Sequence, residues 1–112
     1  MHLKEVENNL AGEISYGQQK LHTIGCCLAN DAQLLLLDEP VAGIDKDNYT
    51  RIFDLIIELK NEGRTILQIE HNHTFVESLS DTIWFLNAGK AFAFDNYKSF
   101  INDKTVKEVY LS

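Results

Sequence analysis

The sequence predicts an α/β fold with a parallel βαβ core, a terminal hairpin and C-terminal helices. Three observations carry that prediction. Two short apolar runs, QLLLLD at 33–38 and TILQIE at 65–70, flank one long amphipathic stretch. That stretch repeats Ile52, Leu55, Ile56 and Leu59 at helical spacing. Further on, the runs 82–87 and 90–95 meet at Ala88-Gly89, a hairpin signal weaker than Asn-Gly.

Leu3, Val6 and Leu10 keep roughly helical spacing, so a short helix is expected over 1–10, broken at Gly12. Ser15 is a good N-cap, and Leu21, Ile24, Gly25 and Leu28 share one face of a helix over 16–29, ended by Asn30-Asp31. Four consecutive leucines, Leu34 to Leu37, predict a strand buried on both faces. A second helix is expected from Asp45 to about Glu62, with Gly63 as its stop signal. The strand at 65–70 completes the βαβ unit, for which a right-handed crossover is expected. A short helix at 73–80, the two hairpin strands and one or two helices over 97–111 follow.

A length of 112 residues predicts one domain with one modest core. There are 10 Lys+Arg against 17 Asp+Glu, a net charge of −7, which argues against binding nucleic-acid phosphates. No apolar run suffices to span a bilayer and no signal-peptide core is visible, so a cytosolic protein without direct membrane insertion is expected. Cys26 and Cys27 are adjacent and are expected to be free thiols. The two N-x-[ST] triplets, at Asn48 and Asn72, are then coincidental.

Chemistry concentrates at three places. The first is LLLLDEP, a buried strand ending in two carboxylates. Ligands of open α/β sheets bind at the carboxyl ends of strands. Asp38 stands where a carboxylate can help hold Mg²⁺, and Glu39, one residue further out, can polarise an attacking water. By itself DEP reads equally well as an acidic turn. The second is ISYGQQK, where Ser15 and Gly17 open a helix whose N–H groups can receive an anion; alone, it reads as a plain cap. Gly12 and Gly17 have the spacing of G-x-x-x-x-G-K-[ST], but Gln18-Gln19 follow, so no phosphate-binding P-loop is present. The third is His71, directly after the second strand, able to donate a hydrogen bond to a phosphate. The ligand spacing of Glu70-His71-Asn72-His73 is poor for a metal cluster, and a polar surface turn is the plainer reading.

In order and spacing, these pieces resemble the C-terminal half of an ABC-type ATPase, the nucleotide-binding subunit of ABC transporters, over nearly all of residues 10–112. ISYGQQK is similar to the family signature, LLLLDEP to its Walker B segment with the catalytic glutamate, Val41-Ala42-Gly43-Ile44-Asp45 to the D-loop, and His71 to the switch histidine. SYGQQ, the Ala-Gly-Ile-Asp D-loop and IEHN look closest to ATPases of branched-chain amino acid importers, with lipopolysaccharide exporters a near second. The resemblance implies a partial P-loop NTPase-like fold for residues 1–112. The family's Walker A loop and Q-loop, which lie upstream of the signature, are absent.

By the same resemblance, Asp38 would help bind Mg²⁺ and Glu39 would be the general base. His71 would contact the γ-phosphate. Ser15, Gly17 and Gln18 would meet an ATP held by a second ATPase subunit, and Asp45 would couple the two sites. Transmembrane permease subunits would be the other partners, placing the protein at the cytoplasmic face of the membrane. The sequence departs from the family where Gly25-Cys26-Cys27-Leu28 replaces the usual Ala-Arg-Ala-Leu. This departure and the missing half leave a second reading open, a non-catalytic module that offers its signature to a partner ATPase. Without a Walker A loop the chain alone is expected to have negligible ATPase activity. Its parallel sheet is expected to present an open edge and to be marginally stable.

Overall fold

The computed structural model describes residues 16–111. The expected helix over 1–10, the break at Gly12 and the Ser15 cap lie outside them. Contacts divide the chain into two compact units, Met1–Asn72 and His73–Ser112.

In the first unit the order is α1 (Tyr16–Ala29), β1 (Leu34–Asp38), α2 (Lys46–Asn61) and β2 (Thr65–Ile69). Helix α1 buries Gly17, Leu21 and Ile24, one stripe at i, i+4 and i+7. Its end is a Schellman motif: Ala32 N–H donates to Cys27 O, Asp31 N–H donates to Leu28 O, and Asp31 takes the left-handed position at φ 54°. Helix α2 starts where Asp45 caps it by accepting the Asn48 N–H. Its buried stripe is Asn48, Ile52, Ile56 and Leu59. It ends in a second Schellman motif, with Arg64 N–H on Leu59 O, Gly63 N–H on Lys60 O, and Gly63 at φ 86°. The glycine stop therefore has the expected physical basis.

Strands β1 and β2 pair in parallel, with Leu34 opposite Thr65, Leu36 opposite Leu67 and Asp38 opposite Ile69. A parallel pair needs a long crossover, and α2 supplies it. The burial of β1 corrects one expectation. Leu35 and Leu37 are buried, at 1% and 9% exposure, but Leu34 and Leu36 stand 55% and 68% exposed. Successive strand side chains point to opposite faces. Among the described residues only one face of this sheet is covered, so the leucine run is buried on alternate residues. Leu67 and Ile69 of β2 are exposed in register with it.

The second unit comprises α3 (His73–Leu79), β3 (Ile83–Asn87), β4 (Lys90–Phe94), α4 (Tyr97–Asn102) and α5 (Lys104–Val109). The hairpin pairs Asn87 with Lys90 across Ala88 and Gly89, at φ 49° and 75°. Two positive φ values in a two-residue loop define a type I′ turn, whose twist matches that of the strands. Asn96 caps α4 by accepting the Ser99 N–H, and Asp103 both ends α4 and caps α5 by accepting the Val106 N–H. The core of this unit is Ile83, Phe100 and Val106, with Val76, Phe85, Phe94 and Tyr110 packed against it. The Phe100 ring meets those of Phe94 and Tyr110 at centroid distances of 5.7 and 5.8 Å.

Candidate functional site

The parallel register brings Asp38, Glu39 and His71 to one end of the first unit. Asp38 is the last residue of β1 and is exposed. Glu39 extends the ladder by one rung, donating its N–H to Ile69 O at 2.8 Å. Two residues beyond Ile69, the His71 imidazole meets the Glu39 carboxylate, with Nε2 3.0 Å from Oε1. The side chains of His71 and Glu39 are 70% and 41% exposed, so the pair faces solvent and is open to a ligand. A contact this exposed adds little stability, and its interest is chemical. The Glu70 carboxylate fixes the turn that carries His71, Oε1 accepting the N–H groups of His71 at 2.9 Å and Asn72 at 3.1 Å. Burial, and then the Glu70 charge, push the Tyr49 phenol above its ordinary 10.0.

Glu39 has φ 47°, the left-handed region that a residue with a Cβ rarely adopts. Such a backbone costs about 1–3 kcal/mol and gathers at functional sites. Two donors hold the Glu39 carbonyl: Ala42 N–H at 3.2 Å and the Lys20 ammonium at 2.9 Å.

The remaining candidates form a second group. Gly17 is buried at the start of α1, and a Cβ on it would meet Asn48 Cβ and Nδ2 at 2.6 Å. Asn48 donates its Nδ2 to Asp45 Oδ1 at 2.7 Å and its backbone N–H to Oδ2 at 3.1 Å. These bonds, the side-chain one first, hold the Asp45 carboxyl below its ordinary 3.8. Gly17 and Asp45 are thus joined through one buried asparagine. Gln18 is half-buried on α1, and Ser15 lies outside the described residues. In the sequence Asn48 stands out only as part of an N-x-[ST] triplet, and its burial argues against modification there. Neither the role of Asn48 nor that of Lys20 has a sequence signal, because each acts on residues distant along the chain.

Among the described residues no group of three His, Cys, Asp or Glu side chains could hold a metal by itself. One exposed carboxylate at a strand end suits a different arrangement. Mg²⁺ keeps several waters and is bound through one or two carboxylates together with substrate phosphates. Asp38 fits that donor set. Among the described residues no helix is long and apolar enough to cross a membrane.

The first unit is thus an α/β arrangement: a parallel βαβ unit with an acidic strand end and a facing histidine. The comparisons sharpen this. The family profile described as "ABC transporter" matches residues 1–42. The branched-chain amino acid transport ATP-binding protein LivG of Escherichia coli is 34% identical over 110 residues, covering 97% of this chain and 43% of LivG. A fluoroquinolone-export ATP-binding protein of Mycobacterium tuberculosis is 37% identical over 94 residues, covering 84% of this chain and 31% of that protein. A solved nucleotide-free ATP-binding cassette from an ABC transporter is 31% identical and superposes with a TM-score of 0.87, over 98% of this chain and 45% of that one. The chain is similar to these ABC-transporter ATP-binding proteins and cassettes, and spans less than half of their length.

Proposed function

We infer that this chain is part of the ATP-binding and ATP-hydrolysing subunit of an ABC transporter, powering transport across a membrane. The observation that carries the reading is the 3.0 Å contact between Glu39 and His71 beside the exposed Asp38. Glu39 is the general base: its carboxylate accepts a proton from the attacking water. His71 holds Glu39 in place and offers its ring N–H to the γ-phosphate. Asp38 would hold Mg²⁺, which when bound neutralises the phosphate charge. Ser15, Gly17 and Gln18 meet ATP carried by a second ATPase subunit, Gly17 and Gln18 from the first turn of α1. The Asp45–Asn48–Gly17 connection ties that opening to the start of α2, so Asp45 can relay the state of one site to the other. Transmembrane permease subunits complete the assembly at the cytoplasmic face of the membrane.

Hydrolysis needs the P-loop that this sequence lacks, so purified chain should turn over essentially no ATP. The decisive measurement uses a cassette in which residues 16–111 replace the matching stretch of the solved relative. ATP turnover in that cassette, reduced about a hundredfold or more by Glu39→Gln, is the expected result. Equal turnover by the Gln form would remove Glu39 from the mechanism and overturn the reading.

A further inference from the structure

Lys20, which ends the ISYGQQK segment and holds the Glu39 carbonyl, is fixed by three contacts. Its ammonium lies 2.9 Å from Glu39 O and 3.5 Å from Asp38 O, and 5.2 Å from the centroid of the Tyr16 ring. The two carbonyls belong to the consecutive acids of the candidate site. Lys20 itself sits one helical turn after Tyr16 on α1, so ring and ammonium share a face. A cation over an aromatic face is attracted by the ring quadrupole, which restrains an otherwise flexible side chain. An ammonium has three donors and no acceptor, and so suits two carbonyl oxygens at once.

We propose that Lys20 is a positioning residue for Glu39, holding its left-handed backbone so that the carboxylate meets His71. The proposal rests on the functional reading given above. The φ of 47° at Glu39 is intrinsically unfavourable and persists only where surrounding bonds over-determine it. Ile69 O holds the N–H of Glu39, while Ala42 N–H and Lys20 hold its carbonyl. Of these partners only Lys20 comes from α1, the helix that would face a nucleotide on a second subunit. A displacement of α1 therefore acts directly on the backbone of the general base. Without the ammonium, Glu39 relaxes toward an ordinary backbone conformation and its carboxylate leaves the imidazole.

The test uses the free chain and no nucleotide, so a failure of ATP hydrolysis in the chimeric cassette leaves it standing. NMR follows the His71 ring signal and the exchange of the Glu39 amide in the wild-type chain, Lys20→Met, Lys20→Arg and Glu39→Gln. In Lys20→Met the Glu39 amide is expected to exchange about tenfold faster, with Leu35 in mid-strand nearly unchanged. The His71 ring signal should move to where Glu39→Gln leaves it, and Lys20→Arg should restore both. An unmoved His71 signal, or equal acceleration at Leu35 and Glu39, overturns the proposal. Should Lys20→Met fail to fold, the wild-type chain decides. A Lys20 ammonium signal coupled across the hydrogen bond to the Glu39 carbonyl carbon supports the proposal, and a freely exchanging ammonium overturns it.

Discussion

Gly17 and Asn48 meet so closely that the Cβ Gly17 lacks would stand 2.6 Å from the Cβ of Asn48. The start of α1 can therefore press against α2 only with glycine at position 17. Gly17→Ala is expected to destabilise the chain by about 1–3 kcal/mol in urea unfolding, the usual cost of an overpacked contact. Adding Asn48→Ala should not restore stability, since the Asn48 Cβ is itself one of the clashing atoms. Full recovery in that double variant would mean that the helices separate at little cost.

The leucine run supplies an internally controlled comparison. Leu35 is buried at 1% exposure and Leu36 is 68% exposed. Leu35→Ala should cost about 2–5 kcal/mol, as buried leucines do, and Leu36→Ala much less. Leu36→Lys should lower self-association in size-exclusion chromatography without lowering the melting temperature, because it adds charge to an exposed apolar face. A large loss of stability at both positions would show that the second face is covered.

The Asp45 cap predicts a pH dependence with a definite sign. Its carboxyl is held below the ordinary 3.8 by hydrogen bonds from Asn48, so the folded form favours the charged state. That stabilisation is fully present above the unfolded value and is lost as pH falls through the lower folded one. Wild-type stability should therefore drop more steeply than that of Asp45→Asn below about pH 4. Melting temperatures of the two proteins across that range check it, and parallel curves would remove the cap from the pH response.

At the hairpin, Ala88 occupies φ 49°, where a Cβ is unfavourable. Asn-Gly is the preferred pair for a type I′ turn. Ala88→Asn should stabilise the second unit by about 0.5–1 kcal/mol, read from hydrogen exchange at β3 and β4 amides. Slower exchange confined to these strands is expected, and unchanged exchange would rule out turn strain at Ala88.

Legibility in the sequence followed locality. Helix α1 runs over the predicted 16–29, and α2 begins directly after its Asp45 cap and ends before Gly63. Those boundaries are written in caps and breakers a few residues long. The conjunction of Asp38, Glu39 and His71 followed from strand order and parallel pairing, which two apolar runs around an amphipathic helix imply. The exposed face of β1 was not legible, because four leucines look alike whether one face or two are covered. Nor was the Gly17–Asn48 contact, since Ser15 and Gly17 at a helix start read equally well as a plain cap. Lys20 gave no signal because its partners are backbone carbonyls, which every residue has.

The side chain of Arg64 donates to the Ala32 carbonyl just past the end of α1, and Thr65 N–H donates to Gln33 O at 2.9 Å. These bonds fasten the first rung of the parallel ladder at the end away from the acids. A strand advances about 3.3 Å per residue, so a slip of one residue there would carry His71 out of reach of Glu39 and reverse every side chain of β2. The Arg64 guanidinium thus acts as an alignment peg. An extra residue between Arg64 and Thr65 would part the peg from the strand it aligns, and so act on the acid–histidine pair while leaving every residue of that pair intact.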